Sequence, residues 1–372
     1  MKIADLPGEV LAAVREGTVI PAIPLALNAR RQYDERRQRA LVRYYLDAGA
    51  GGIAIGVHTT QFEIRDPKYG LFEPVLSTVS RMIDQHAGKN GLSPVKIGGI
   101  CGPTEQALGE AEFLRTHGYH AGLLSLAAFP HEPIGALLDH CRRVAEVIPL
   151  FGFYLQPSVG GRILPYEFWV HFAGIENVLG IKIAPFNRYQ TLDVVRAVCD
   201  AGREKEIALY TGNDDHILLD LVSEYRIRRY RSNIPRKAGV AGESSESVCN
   251  LRIVGGLLGQ WSVWTKRAVE HHRWARELSR SGAPLPQEYL TLSEELTDAN
   301  GAIFDAAHRF AGCIPGIHEV LRRQGLLEGA WCLNPGECLS PGQAEEIDRV
   351  CRSYPHLTDD VYVQQHLSEW LG

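Results

Sequence analysis

The chain has 372 residues, 45% of them hydrophobic and 22% charged, with 37 glycines and a formal net charge of −5. That is the composition of a globular α/β protein and is wrong for a disordered, collagenous or coiled-coil chain, and the length allows one large domain with an appendage, or two domains. The mild negative charge calls for neither nucleic acid nor an anionic membrane, and no apolar run reaches the roughly 18 residues of a membrane span.

The start, Met1-Lys2-Ile3-Ala4-Asp5, carries acid early and lacks the apolar core of a signal peptide. A cytoplasmic location follows as an expectation. The eight cysteines are scattered and form no C-x-x-C pair, which weakens zinc-ribbon and redox readings and makes free thiols the expectation.

Residues 1–17 read as a short capping helix. The first strand is Val19-Ile20-Pro21-Ala22-Ile23-Pro24-Leu25-Ala26-Leu27, and Asp34 caps a helix that ends at Gly49. The second strand covers 51–57, followed by a loop from His58 and a helix near 72–87. The third strand is 95–101, with a helix starting near Pro103. Strand and helix then alternate through 121–126 and 133–147. The fifth strand is 150–156 and the sixth 178–184, with a helix near 189–201. The seventh is 207–213, with a helix near 214–223. The eighth lies within 253–263, and its helix runs to about 280.

Eight strand-then-helix units point to a parallel sheet, and eight is the number that closes a (β/α)8 TIM barrel. An open doubly wound sheet is the alternative, but no G-x-G-x-x-G follows the first strand, which weakens a dinucleotide-binding version. The barrel then takes 1–284, including the capping helix and an insertion at about 225–250. That insertion holds a basic run (Arg226, Arg228, Arg229, Arg231, Arg236, Lys237) and its position after a helix places it at the non-catalytic end. Residues 285–372 form a C-terminal helical appendage, with helices at 288–311, 315–324 and 341–353.

Active sites of such barrels lie at the C-terminal ends of the strands. The chain has only eight lysines, and two fall in strands. Lys96 is second in its strand, at the bottom, where a structural role is expected. Lys182 is near the top of the apolar run Asn177-Val178-Leu179-Gly180-Ile181-Lys182-Ile183-Ala184. Burial there lowers a lysine's pKa, and such an amine is a nucleophile that forms a Schiff base with a ketone. Tyr154, 28 residues earlier near the top of the adjacent strand, is the candidate to hydrogen-bond the adduct and move protons.

Gly152-Phe153-Tyr154-Leu155-Gln156-Pro157 followed by Gly180-Ile181-Lys182 resembles the Y-x-x-P…G-I-K pattern of the dihydrodipicolinate synthase / N-acetylneuraminate lyase family. Gly212-Asn213-Asp214-Asp215 and the C-terminal Pro315-Gly316-Ile317-His318-Glu319-Val320-Leu321 resemble it too, so the likeness runs from about 19 to 350 outside the insertion. The resemblance implies a (β/α)8 class I aldolase or dehydratase that forms a Schiff base with pyruvate or a related 2-keto acid. It also implies a homo-oligomer, a tetramer or dimer, and no cofactor. The family's G-T-T-G-E loop aligns with Gly56-Val57-His58-Thr59-Thr60-Gln61-Phe62-Glu63. Thr59 and Thr60 are thereby the expected carboxylate binders, with Thr60 also relaying protons to Tyr154. His58, Gly212 and Phe129 are expected beside the substrate.

Two departures argue against dihydrodipicolinate synthase activity itself. The second tyrosine of the synthases aligns with Phe129, and their substrate-binding arginine aligns with Val159, with Arg162 as the nearest substitute. His58, Glu63, His131 and Glu132 lack the tight spacing of a ligand motif, so no metal is expected. His271-His272 reads as a solvated helix face, and Trp261 and Trp264 as core or pocket wall. The expected function is a Schiff-base lyase acting on a 2-keto acid, alone or with an aldehyde. The alternatives are a 2-keto-3-deoxy sugar acid dehydratase using the same lysine, a metal-dependent sugar isomerase, and an inactive ligand-binding barrel.

Overall fold

The structure, a computed structural model, describes residues 1–229 and 248–372. Helix α1 (Gly8–Glu16) comes first. Strands and helices then alternate: β1 (Val19–Pro21), α2 (Glu35–Asp47), β2 (Gly52–Ile55), α3 (Phe72–Asn90), β3 (Val95–Ile100), α4 (Thr104–Thr116), β4 (Ala121–Leu124) and α5 (Ile134–Val147). They continue as β5 (Leu150–Leu155), α6 (Tyr166–Ala173), β6 (Val178–Ala184), α7 (Arg188–Asp200), β7 (Ala208–Thr211) and α8 (Ile217–Val222). After β8 (Glu224–Arg228) and β9 (Val248–Leu258) come α9 (Thr265–Ser281), α10 (Gln287–Ile303), α11 (Cys313–Arg323), α12 (Gln343–Ser353) and α13 (Asp360–Leu371).

Eight strands pair in parallel in the order β1-β9-β7-β6-β5-β4-β3-β2. A parallel bridge between Ala22 and Ala54 joins the two ends of that order, with Ile23 N–H donating to the Ala54 carbonyl at 2.9 Å. The result is a (β/α)8 barrel with C-terminal helices. Its strands are buried on both faces, as parallel strands covered by helices must be. All seven residues of β6 are buried, its lysine included. Two cores result. Phe151, Phe153, Leu155 and Tyr210 fill the barrel interior, while Tyr154, Ile181, Ile183 and Trp169 lie between sheet and helices. Helix α1 plugs the bottom: Val10 and Val14 join the interior core, and the Tyr210 hydroxyl donates to the Val14 carbonyl at 2.9 Å.

Four features differ from the sequence reading. The eighth barrel strand starts at Val248, because its first half leaves the barrel and pairs antiparallel with β8, from Glu224 opposite Arg252 to Arg228 opposite Val248. Since β9 enters the barrel at its lower end, this hairpin projects from the end away from the strand C-termini. Arg231, Arg236, Lys237 and residues 242–247 of the expected insertion lie outside the described residues. Next, the cysteines are not all free thiols. Cys199, on α7, is bonded to Cys249, on β9. The hairpin brings together two cysteines 50 residues apart, a proximity no local spacing announces. Arg229 reinforces the same contact by donating to the Cys199 carbonyl at 3.0 Å.

The third difference is α13, which packs on α2, with Trp370 Nε1 donating to Asp47 at 2.7 Å. Finally, the second residue of His271-His272 is not on a solvated face. His272 is buried and its Nε2 lies 3.1 Å from the Val254 carbonyl. Trp261 and Trp264 are both core. Among the described residues no helix is long and apolar enough to cross a membrane.

Candidate active site

Lys182 projects from β6 into a pocket at the top of the barrel with a cavity volume of about 50 Å³, open to solvent at its mouth. The lysine is 7% exposed, and its Nζ sits 4.5 Å from the centroid of the Phe153 ring. Burial holds its pKa below the ordinary lysine value, and the Asp214 carboxylate works in the opposite direction. Asp214 also lines this pocket and is only 9% exposed. Burial lifts its carboxyl above the usual range, while the Lys182 charge and the Gln260 N–H pull it down. No ion pair within 4.0 Å joins the two among the described residues. The pocket therefore holds an amine biased toward neutrality and a carboxyl biased toward holding a proton, with space between them.

The loop carrying Asp214 is built around Asp220. That carboxylate is fully buried and accepts from Thr211 Oγ1 at 2.6 Å, Asn213 Nδ2 at 3.1 Å and Arg188 Nη1 at 2.5 Å. Burial pushes its pKa up, but His216, Arg188, Thr211 and Asn213 outweigh it and keep it below the usual carboxylate range. Asn213 in turn accepts the Phe186 N–H at 3.1 Å. The Asp214 carbonyl takes a hydrogen bond from Asn300 Nδ2 at 2.6 Å, which ties the loop to α10.

Gly212 earns its place sterically. A Cβ there would fall 2.7 Å from Lys182 Cε and 2.8 Å from Ala184 Cβ, so only glycine lets the lysine lie flat along this wall. Gly212→Ala displaces the amine, and we expect kcat to fall by about 10²-fold, the scale of a 1 Å misplacement. Steady-state kinetics checks this, with circular dichroism to show that the barrel persists.

His58 and Thr59 also line the pocket. Burial and the Lys182 charge hold the His58 imidazole down to about 4, so it is neutral at pH 7. Residues His58–Thr60 form a single 3-10 turn, whose first amides the turn itself does not use. The threonine hydroxyls are committed elsewhere. Thr59 Oγ1 donates to the Ala22 carbonyl at 2.6 Å, and Thr60 Oγ1 donates to Ile23 at 2.8 Å while accepting the Gly56 N–H at 3.0 Å. They pin the loop to the end of β1. Thr60 is fully buried and does not line the pocket. Below the loop, Arg65 donates to the Gly56 and Gly99 carbonyls, each at 3.0 Å, and pairs with Glu110 at 2.9 Å.

The structure corrects the expectation for Tyr154. Its strand partner is Ile183, whereas Lys182 pairs with Phe153. Paired residues of a parallel sheet point the same way and neighbours alternate, so Tyr154 faces away from the lysine. Its ring packs 5.2 Å from Trp169, and its hydroxyl accepts the Leu164 N–H at 3.3 Å. Tyr154→Phe should cost about 1 kcal/mol of stability and leave turnover within about threefold, whereas loss of an acid–base tyrosine costs about 10²- to 10⁴-fold. A kcat measurement separates the two.

Phe129 is likewise outside the pocket, its ring 4.6 Å from that of His140. Arg162 does not turn inward as a carboxylate binder. It donates to the carbonyls of Phe129 and Glu132 in the loop before α5, while Val159 lines the pocket. Lys96 points out to α3, bonding Asp84 at 2.7 Å and Ser80 at 3.2 Å.

The sequence reading missed the roof. Phe304, Phe310 and Cys313, from the C-terminal region, lie over the same pocket together with Phe186. Burial drives the Cys313 thiol well above its usual pKa, so it is a neutral lining group.

No family model matches this chain. It is 28% identical over 177 residues to 4-hydroxy-tetrahydrodipicolinate synthase of Thiobacillus denitrificans, 47% of this chain, and 29% identical over 162 residues to the synthase of the same name from Nostoc sp., 42% of this chain. The chain spans about half the length of the curated relatives it matches, 55% of the first and 49% of the second. Solved structures extend the agreement in fold. Dihydrodipicolinate synthase from Acinetobacter baumannii, complexed with pyruvate, superposes with a TM-score of 0.69 at 16% identity, covering 91% of this chain and 99% of that one. N-acetylneuraminate lyase from Fusobacterium nucleatum, also complexed with pyruvate, gives 0.67 at 15% identity, covering 92% and 98%. The shared stretches of sequence and the common barrel fold make the chain similar to members of the dihydrodipicolinate synthase / N-acetylneuraminate lyase family.

Proposed function

We propose that this chain is a class I lyase that forms a Schiff base with pyruvate or a related 2-keto acid. The observation that carries the reading is the desolvated Lys182 sharing one pocket with Asp214 and not paired to it directly. A neutral amine attacks the C2 ketone to give a carbinolamine, and loss of water leaves an imine. Asp214, raised by burial, is the group that gives the proton to the departing hydroxyl and then takes one from C3 to form the enamine. The His58 and Thr59 amides and the neutral His58 ring are the donors for the substrate carboxylate, since the Thr60 N–H is spent on the Val57 carbonyl and the threonine hydroxyl protons on Ala22 and Ile23.

A homo-oligomer and an aldehyde as second substrate belong to this reading through the family. A metal-dependent isomerase is disfavoured by the side chains themselves: among the described residues no three His, Cys, Asp or Glu groups gather as ligands. The test is to treat the protein with pyruvate and borohydride, measure the intact mass and map the modified peptide. One reduced adduct per chain, on Lys182, is expected. An adduct on Lys96, or none with pyruvate and longer 2-keto acids, overturns the proposal.

A further inference from the structure

The hairpin outside the barrel reaches back to the loop that carries Asp214. Tyr225 is the second residue of β8 and is buried. Its hydroxyl accepts from Arg188 Nη2 at 2.9 Å and lies 3.5 Å from Asp220 Oδ1. Arg188, the first residue of α7, gives its other Nη to that same Oδ1 at 2.5 Å. The three side chains close a triangle drawn from β8, α7 and α8. Burial pushes the Tyr225 phenol up to about 12, so it keeps its proton and directs it toward Asp220.

The other oxygen of Asp220 holds the Asp214 loop, with Thr211 and Asn213 as its donors. Asn213 also donates to Thr191 Oγ1 at 3.1 Å and accepts the Phe186 N–H. Asp214 is the next residue, and both it and Phe186 line the pocket. A carboxylate without exposure stays charged only when it is paired and hydrogen-bonded. Asp220 Oδ2 is served from within the loop, whereas Oδ1 depends on Arg188 and Tyr225, with His216 Nδ1 3.5 Å away. The Arg188 side chain is 35% exposed, so water competes for its guanidinium. The Tyr225 hydroxyl is the acceptor that keeps Nη2 turned inward.

The hairpin is itself tied down. The Cys199–Cys249 bond joins β9 to the far end of α7, the helix whose near end carries Arg188. Cys249 lies opposite Ile227, two residues along β8 from Tyr225, and Arg229 adds an ion pair with Glu204. Helix and hairpin are therefore clamped at both ends, by Arg188 with Tyr225 at one and by the disulfide at the other.

We propose that Tyr225 is a positioning residue for Asp214, acting through Arg188 and Asp220, and that the Cys199–Cys249 bond holds the hairpin where Tyr225 can reach them. The proposal rests on the Schiff-base reading above, with Asp214 as its acid–base group. Lys182 is on β6 and takes no part in these contacts. Loosening them spares imine formation and weakens proton transfer.

The test uses the full chain with pyruvate and no second substrate. Tyr225→Phe keeps the ring and removes only the hydroxyl. Exchange of the pyruvate methyl protons with D2O is expected to fall about tenfold, less than the roughly 10²-fold cost of a 1 Å misplacement, while the borohydride adduct on Lys182 forms at the native rate. A merely structural role would lower the melting temperature and leave the ratio of the two rates unchanged, which overturns the positioning role. Cys249→Ala is expected to lower exchange by about threefold, within the range that coupling through packed contacts carries. Dithiothreitol, which reduces the bond to two thiols and is itself oxidised to a cyclic disulfide, should do the same to the native protein and nothing further to Cys249→Ala. Exchange unchanged in that variant and under dithiothreitol overturns the disulfide's part. Native exchange in Asp214→Asn would instead overturn the role given to Asp214, and absence of an adduct on Lys182 in the native protein would overturn the Schiff base beneath both.

Discussion

Lys182→Met ends turnover and abolishes the borohydride adduct with pyruvate. Removing a covalent nucleophile costs on the order of 10⁴-fold or more, because no other group can form the intermediate. Methionine fills nearly the same space and can rest on the Phe153 ring, 4.5 Å from where Nζ sits. It leaves Asp214 without its cation. That carboxyl is already raised by burial, so it takes up a proton instead of standing charged in the pocket. The variant should therefore keep its circular dichroism spectrum while losing all activity. The wild-type pH profile follows from the same balance. Schiff-base formation needs the neutral amine, and burial places the amine's titration below the ordinary lysine value. The trapping rate should rise with pH and level off before the range where an exposed lysine titrates. A rate still climbing at pH 10 would show that the lysine is not desolvated.

Eight apolar runs separated by helical stretches were enough to count the barrel, and counting alone put Lys182 at the top of β6 and Lys96 at the bottom of β3. Gly212 and His58 came instead from the resemblance to the family's motifs, and both line the pocket. The orientation of Tyr154 was beyond it. A spacing of 28 residues says that two side chains are on adjacent strands, but which face each takes depends on register. Here the phenol is one residue past the position paired with the lysine, and one residue is the difference between pocket and outer core. The roof was hidden for another reason. Phe304 and Phe310 approach Lys182 across more than a hundred residues, through the packing of α10 and α11 on the barrel mouth, and no local pattern encodes that contact. The Cys199–Cys249 bond belongs with these, because the β8–β9 hairpin that brings its halves together reads in sequence as a charged insertion.

Asp214→Asn should separate imine formation from proton transfer. With Tyr154 facing α6, the acid–base work falls to groups that line the pocket. Thr59 has given its hydroxyl proton to Ala22, and burial keeps Cys313 protonated. His58, held down to about 4, is a weak base at neutral pH. Asp214 has its affinity for protons raised toward neutrality by burial, which is where a general acid–base group works best. Asparagine keeps the shape and can still accept the Gln260 N–H, a bond of 3.2 Å in the native protein. It removes a negative charge that raises the Lys182 pKa, so the amine becomes neutral at lower pH and trapping of pyruvate should be no slower. Exchange of the pyruvate methyl protons with D2O, which reports C3 deprotonation without any second substrate, should fall by about 10²- to 10⁴-fold. Proton NMR reads the exchange, and mass spectrometry reads the adduct on the same samples. Equal exchange in the variant and the native protein would remove Asp214 from the proton path and return the role to His58, which also lines the pocket.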